Sequence, residues 1–143
     1  MSDVLTLDDV RLGGKVVLYR VDVNSPLEPS SGAFLDDSRL RAIIPTLRTL
    51  QNSKVVMLGH QSRPGKIDFT NMEQHADRIS RLIGKKVKFV SDICGDEAIS
   101  SIKNLKIGEM LFLDNIRMHE DENSMKKASL EETAQSEIVR KLS

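Results

Sequence analysis

Residues 54–65 read KVVMLGHQSRPG, an uninterrupted apolar run that passes directly into a polar turn. Val55 to Leu58 include no charged residue and two β-branched ones, which is typical of a strand covered on both faces. The glycines, the proline and the polar side chains that follow are residues that end strands in loops. The stretch therefore predicts a strand in the interior of a parallel sheet, with a polar loop at its carboxyl end.

Three further apolar runs have the same character, at residues 16–19, 87–90 and 110–113. Between the runs, apolar residues recur with the helical period. Strict alternation of strand and helix implies right-handed crossovers. The sequence thus predicts an α/β fold: an open, three-layer parallel sheet, Rossmann-like, with about four core strands.

Four helices are predicted between and after these strands. The first carries one apolar stripe, formed by Leu40, Ile43, Ile44, Leu47 and Leu50. The second opens on a capping box at Thr70 and Glu73 and stops at Gly84, and the third covers residues 97–104. The last starts at a capping box of Ser129 and Glu132, after a polar stretch at 120–127 that is predicted to be a surface loop.

The composition excludes several classes of protein. Hydrophobic residues make up 39% and charged residues 29% of the 143, a globular balance rather than a disordered one. The 21 basic and 21 acidic residues cancel, and aromatic residues are only 3%, which argues against a nucleic-acid partner. No apolar stretch approaches the roughly 20 residues that span a membrane, and the acidic start is not a signal peptide, so a cytoplasmic protein is expected.

The chain also lacks the usual sequence signals of metal and nucleotide sites. Cys94 is the single cysteine, and we interpret it as a small buried residue. No Cys/His spacing suggests zinc, and no GxxxxGK[ST] or GxGxxG motif follows a strand, since Gly13 and Gly14 precede the first one. His75 and His119 are interpreted as packing or surface residues. We therefore expect neither a metal nor a bound nucleotide cofactor in this chain.

Polar side chains follow the first, second and fourth predicted strands, and an arginine opens the first helix. Ligands of an open parallel sheet bind beyond the carboxyl ends of its strands. Guanidinium groups suit phosphate and carboxylate oxygens, and a carboxylate there fits as an acceptor for a ligand hydroxyl or as a partner that orients an arginine. The pattern predicts a site for a small acid with a phosphate and a hydroxyl. Its candidate residues are Asp22, Asn24, Arg39, His60, Arg63 and Arg117.

Two other interpretations of the same residues stay open. Asp22, at a strand end, could be the phosphoacceptor of a stand-alone, receiver-like regulatory module, although the acidic pair and late lysine of receivers are not clear here. Alternatively, the polar residues are ordinary turn residues and the arginines are solvated charges on a scaffold.

Four motifs in order resemble the phosphoglycerate kinase family. RVDVNSP at 20–26 is similar to the family's RVDxNxP, and the first helix opens with an arginine within DDSRLRAIIPTL at 36–47. HQSRP at 60–64 is similar to HxxRP, and DNIR at 114–117 stands where the family has ENxR. The form GHQSRPGK followed by DFTNMEQHA looks most like the archaeal branch, and the resemblance runs from about Leu12 to the end.

This resemblance implies reversible phosphoryl transfer between 1,3-bisphosphoglycerate and ADP, giving 3-phosphoglycerate and ATP. It implies that the six candidate residues bind 3-phosphoglycerate or 1,3-bisphosphoglycerate. Arg39 would also be catalytic, stabilising charge on the transferring phosphoryl group. Mg-ATP or Mg-ADP would bind to a second domain of the full-length enzyme.

The resemblance also sets an expectation for the extent of the chain. Residues 1–143 would be a partial amino-terminal, substrate-binding domain, with no strand after the last helix and no nucleotide-binding domain. We expect such a chain to be inactive alone and to bind phosphoglycerate weakly or not at all. The family's sheet order would leave the first strand as an exposed edge, through which the chain is expected to self-associate.

Overall fold

A computed structural model gives the structure of residues 4–143, apart from the side chain of Lys126. Within this range four strands form one parallel sheet: β1 (Val16–Arg20), β2 (Lys54–Leu58), β3 (Val87–Val90) and β4 (Met110–Leu113). Their order across the sheet is β1-β2-β4-β3. The α/β class and all four strands expected from the apolar runs are confirmed.

Helices cover both faces of the sheet. They are α1 (Ser38–Ala42), α2 (Ile44–Thr49), α3 (Glu73–Ile83), α4 (Asp96–Lys103), α5 (Glu120–Ser124), α6 (Leu130–Ala134) and α7 (Glu137–Leu142), with short 3-10 turns at Leu7–Asp9, Ile116–Met118 and Met125–Lys127. None of the helices in residues 4–143 combines the length and the apolar character needed to cross a membrane.

Two apolar layers fill the space between sheet and helices, which confirms the three-layer arrangement. On one face, α1, α2 and α3 pack their apolar residues against Val55 and Phe112. On the other face, Ala98 of α4 packs with Val56 and Leu111, and Leu142 of α7 lies against the same cluster. β2 and β4 are therefore covered on both sides, as their continuous apolar sequences predict.

The expectation of two-sided burial is wrong for β1, which lies at the edge of the sheet. Val16 and Leu18 are 52% and 45% exposed, whereas Val17 and Tyr19 pack against the core. Edge position was expected for this strand from the family resemblance. The alternation follows from it, because no element covers the outer face of β1 as fully as α4 covers its neighbours.

The first predicted helix is broken in two at Ile43. Pro45 stands in the first turn of α2, where its missing N–H group is tolerated, but inside one continuous helix it would remove a backbone hydrogen bond and clash with the preceding turn. The stripe from Leu40 to Leu50 is nevertheless buried throughout, so the apolar face is confirmed although the single helix is wrong.

Helix ends were predicted with mixed success. Gly84 ends α3 in the left-handed conformation, as expected, and the Ser129–Glu132 capping box opens α6. The capping box at Thr70 is wrong, because α3 starts at Glu73 and the side chain of Asn71 accepts the Glu73 N–H.

The carboxyl-terminal part also differs from the expectation of a loop and one helix. Residues 120–127 form α5 and a 3-10 turn, because the His119 side chain caps α5 and acidic residues fill its first turn. The helix that starts after Ser129 stops at Ala134, and Ser136 caps a separate α7.

Candidate functional site

The loops that leave β1, β2 and β4 lie side by side at the carboxyl edge of the sheet. The parallel pairing continues past the strands, because Val21 N–H donates to Leu58 O at 2.9 Å and Ile116 N–H donates to Gly59 O at 3.1 Å. A Cβ atom at Gly59 would lie 2.9 Å from Val21 O, so only glycine allows this approach. The sheet thereby brings the three polar loops together.

Arg39, in the first turn of α1, reaches over the loop that follows β1. Its Nη1 lies 3.0 Å from Oδ1 of Asp22, and the two side chains are 53% and 71% exposed. An ion pair this accessible to water contributes only about 0–1 kcal/mol to stability. Its main consequence is orientation, since the carboxylate holds the guanidinium group at the edge of the sheet.

Asn24 and Arg117 meet through the backbone of Ser62. The Ser62 N–H donates to Oδ1 of Asn24 at 2.9 Å, and Nη1 of Arg117 donates to Ser62 O at 2.7 Å. Ser62 has φ +59°, a left-handed conformation that non-glycine residues rarely adopt. One residue of the β2 loop therefore ties the β1 loop to the β4 loop.

His60 lies among the charged residues of this edge. Burial lowers the pKa of its imidazole below the usual range, and the positive charges of Arg117, Arg20 and Arg39 lower it further, while Asp22 acts in the opposite direction. These effects favour the neutral imidazole over the imidazolium form. A bound anion would raise this pKa, because negative charge favours the imidazolium form.

Arg63 is the one candidate that the structure does not join to the others. Its side chain is exposed and makes no hydrogen bond or ion pair with the described residues, and its carbonyl accepts the Lys66 N–H at 3.1 Å. The fold places it in the same loop as His60 but leaves its guanidinium group in solvent.

Three residues that were not candidates from sequence also belong to this edge. Arg20, at the end of β1, pairs with Glu122 at 3.3 Å and lies near enough to His60 to act on its pKa. Gln61 and Asn115 are fully buried beneath the loops. All three stood in motifs quoted from the sequence, RVDVNSP, HQSRP and DNIR, so a signal existed, but nothing local distinguishes a buried amide from a turn residue.

Two predictions about other residues have outcomes as well. Cys94 is buried, as expected, and burial raises the pKa of its thiol. His75 is buried on α3 as a packing residue, with its ring 4.9 Å from that of Phe34. Within residues 4–143 no three His, Cys, Asp or Glu side chains come together to hold a metal ion.

Four arginines, Arg20, Arg39, Arg63 and Arg117, thus stand in β1, in the first turn of α1 and in the loops that follow β2 and β4. The fold and this carboxyl edge define an open α/β domain, a class of protein in which ligands bind beyond the carboxyl ends of the strands. A family model, phosphoglycerate kinase, matches residues 7–143. The chain therefore belongs to the phosphoglycerate kinase family.

Individual relatives agree with this assignment and with the archaeal character of the motifs. A phosphoglycerate kinase of Methanocorpusculum labreanum is 46% identical over 137 residues, which are 96% of this chain and 33% of that protein. Phosphoglycerate kinase 1 of Methanosarcina acetivorans is 46% identical over 141 residues, covering 99% of this chain and 34% of that protein. This chain thus spans about one third of the length of these relatives.

Solved structures have the same fold. The crystal structure of phosphoglycerate kinase from Pyrococcus horikoshii OT3 superposes with a TM-score of 0.91 at 37% identity, over 97% of this chain and 34% of that one. The structure from Coxiella burnetii, at 22% identity and TM-score 0.67, covers 85% of this chain and 31% of that one, and shows the likeness of the fold alone.

Proposed function

We propose that this chain is the phosphoglycerate-binding part of a phosphoglycerate kinase. That enzyme transfers a phosphoryl group reversibly between 1,3-bisphosphoglycerate and ADP, giving 3-phosphoglycerate and ATP. The observation that carries the proposal is that Asp22, Asn24, Arg39, His60 and Arg117 lie at one edge of the sheet. There the 3.0 Å ion pair joins Arg39 to Asp22, and the Ser62 backbone joins Asn24 to Arg117.

The chemistry of the edge suits this ligand better than a plain anion. The arginines offer forked donors for phosphate and carboxylate oxygens, and each charge-assisted hydrogen bond contributes about 1.5–3 kcal/mol. Asp22 repels a bare anion but accepts a hydrogen bond from a hydroxyl, and Asn24 adds neutral polar groups. Phosphate, carboxylate and hydroxyl are the three groups of 3-phosphoglycerate.

The candidate residues then have separate roles. Arg117, His60 and Arg63 bind the phosphate and carboxylate, with Arg63 turning in from solvent. Asp22 accepts a hydrogen bond from the hydroxyl group of the ligand, and Asn24 adds neutral polar contacts. Arg39 stabilises charge on the transferring phosphoryl group, which needs positioning and electrostatics more than covalent chemistry.

The Mg-nucleotide would bind to a different part of the enzyme. The sequence has no GxxxxGK[ST] or GxGxxG loop after a strand, so it offers no nucleotide-binding motif for Mg-ATP or Mg-ADP. We assign the Mg-nucleotide to the two thirds of the relatives' length that this chain does not match. When bound there, Mg-ATP would supply the phosphoryl group in one direction and Mg-ADP would accept it in the other, while this chain would bind and orient the acid.

Calorimetric titration with 3-phosphoglycerate tests the proposal. Arg39→Ala and Arg117→Ala each remove a charge-assisted contact, so each should weaken binding roughly 10- to 100-fold. Arg48→Ala is the matched control, because Arg48 is an exposed arginine in the last turn of α2, away from the carboxyl edge. Equal affinities of all four proteins would overturn the assignment.

A coupled ATP-dependent assay tests the second half of the proposal. Because the part of the enzyme proposed to bind the nucleotide is absent from the assay, the chain alone should show no turnover of 3-phosphoglycerate above a no-protein blank. Turnover near that of full-length kinases would contradict the assignment of the nucleotide to another part of the protein.

A further inference from the structure

We propose that two buried amides, Gln61 and Asn115, together with the imidazole of His75, are positioning residues that hold the carboxyl-edge loops in the arrangement needed to bind the acid. The inference rests on the proposed function for the identity of the ligand. It concerns residues beneath the site, none of which is a candidate to touch the ligand.

Gln61 fixes the distance between the β1 loop and the β2 loop. Its Oε1 accepts the Ser25 N–H at 3.1 Å and its Nε2 donates to Ser25 O at 2.9 Å. This two-point contact imitates one rung of a β-ladder between loops that have no ladder of their own. Gln61 lies between His60 and Ser62 in sequence, so the contact also fixes both of these neighbours.

His75 adds a third contact to the Gln61 amide, whose orientation is set by its two hydrogen bonds with the Ser25 backbone. Its Nε2 lies 3.0 Å from Oε1 of Gln61, an acceptor, so this nitrogen must carry the proton. Oε1 then accepts from both Ser25 and His75, and rotating the amide by 180° would lose both hydrogen bonds to Ser25 and, with this tautomer, the one to His75. His75 is fully buried against Phe34, which holds the ring in place.

Asn115 attaches the same loop to the β4 side. Its Nδ2 donates to Gln61 O at 2.9 Å and to Thr70 O at 2.8 Å, and its Oδ1 accepts the Arg117 N–H at 3.1 Å. The backbone of Arg117 is therefore joined through one amide to the residue that follows His60.

The network matters because the surface contacts above it are weak on their own. The Asp22–Arg39 pair is largely exposed, and the Arg117 side chain has its contact with Ser62 O at the edge of the loop. Buried hydrogen bonds in a low-dielectric interior are stronger and costly to leave unmade. The buried hydrogen bonds beneath the loops therefore hold the proposed ligand-binding side chains in a fixed arrangement.

The pKa of His60, followed by NMR titration of the 143-residue chain, reports on this arrangement without any ligand. Burial and the nearby arginines lower that pKa in the native loops. In His75→Leu, which keeps the Gln61–Ser25 contact, and in Gln61→Met, which loses it, we expect the His60 pKa to rise toward its usual value, more in Gln61→Met. A His60 pKa unchanged in both folded variants overturns the proposal.

Two further measurements keep the outcome clear. Ser53→Ala removes a buried hydroxyl bonded to Leu12 O at 2.9 Å at the opposite edge of the sheet, and it should lower stability while leaving the His60 pKa unaltered. If Gln61→Met does not fold, nitrogen shifts of His75 in the native chain decide: a proton on Nε2 supports the network, and a proton on Nδ1 overturns it.

The two proposals fail separately. Adding 3-phosphoglycerate to the native chain should raise the His60 pKa, and the absence of any response at millimolar ligand would count against the proposed function alone. The effect of the variants on His60 without added ligand tests the positioning residues alone.

Discussion

Nη1 of Arg39 lies 3.0 Å from Oδ1 of Asp22, so the arginine proposed to act on the transferring phosphoryl group is paired with a carboxylate of the same site. The pair joins the first turn of α1 to the loop after β1, 17 residues apart in sequence. If the proposed function holds, a phosphorylated ligand would compete with this carboxylate for the guanidinium group. Asp22 should therefore weaken the binding of plain anions and favour ligands that donate a hydrogen bond to its carboxylate, such as those with a hydroxyl group.

Asp22→Asn should change the affinities for inorganic phosphate and for 3-phosphoglycerate by different factors. Removing the negative charge frees Arg39, so binding of inorganic phosphate should strengthen by up to about fivefold, the value of an exposed ion pair. Binding of 3-phosphoglycerate should not gain in the same proportion, because the hydroxyl loses its acceptor. Titration calorimetry with both ligands gives the ratio of the two dissociation constants.

Asp77→Asn is the control for that change in net charge, since Asp77 is an exposed residue of α3. It should leave the ratio as in the native chain. An Asp22→Asn protein that weakens for both ligands to the same degree would contradict the role given to Asp22.

The left-handed backbone at Ser62 leads to a prediction about the free energy of unfolding. Its φ of +59° costs a non-glycine residue about 1–2 kcal/mol, while its hydroxyl donates to Oδ1 of Asp68. Ser62→Gly removes both the strain and the hydrogen bond, so its free energy of unfolding should stay near the native value. Ser62→Ala keeps the strain and loses the bond, and should be about 1 kcal/mol less stable in urea unfolding.

If Ser62→Ala proved the more stable of the two, the strain at this position would be refuted. Both variants keep the backbone groups that Asn24 and Arg117 contact, so neither should abolish ligand binding.

Burial of His75 makes stability depend on pH in a defined window. Burial lowers the pKa of His75 to about 4 from its usual 6.5. Between these values the unfolded chain binds a proton that the folded chain does not, so stability is complete above about pH 6.5 and falls as the pH drops toward 4. The contribution lost between pH 7 and 5 is about 2 kcal/mol.

Urea unfolding of His75→Phe at the two pH values measures this contribution. The variant should show a drop smaller by about 2 kcal/mol than the native chain. Ser53→Ala, destabilised elsewhere, should keep the full drop. The same drop in all three proteins would mean that His75 is not neutral and buried in solution.

The edge strand β1 carries the expectation of self-association. Lys15 O accepts the Lys54 N–H and Val21 N–H donates to Leu58 O, so the backbone groups of residues 16, 18 and 20 point away from the sheet. With Leu18 exposed beside them, a second copy of the chain can extend the sheet. Light scattering should therefore give a mass above that of one chain at high concentration.

Leu18→Glu should return that mass to one chain, because it places a charge on the pairing edge. Leu130→Glu is the control, since Leu130 is 90% exposed on α6 and far from any strand edge in sequence. A native chain that stays monomeric at high concentration would disprove the association.

The fold was predictable because its four strands are nearly pure apolar runs, as in Met110–Leu113, and a parallel sheet is the arrangement that buries such runs. The break at Ile43 was missed because the buried stripe continues unchanged through both helices. Pro45 was the local signal, and its weight depends on where a helix begins, which periodicity alone does not fix.

For the candidate site, the sequence predicted which loops lie together but not which side chains contact one another. Strand ends placed Asp22, His60 and Arg117 at one edge, and the sequence left open whether Asp22 meets a hydroxyl or an arginine; the structure pairs it with Arg39. Gln61 and Asn115 escaped notice because burial of an amide depends on partners 36 to 54 residues away. Such contacts have no periodicity to reveal them.

The order of the strands also affects how the chain is made. β3 leaves the ribosome before β4, yet β4 is the strand it pairs with. Until Leu113 has emerged, the backbone N–H and C=O groups of Val87–Val90 have no partner strand to bond with. By then β1 and β2 can already pair with each other. The nascent chain therefore passes through a stage in which β1 and β2 can pair while β3 still lacks its partner strand.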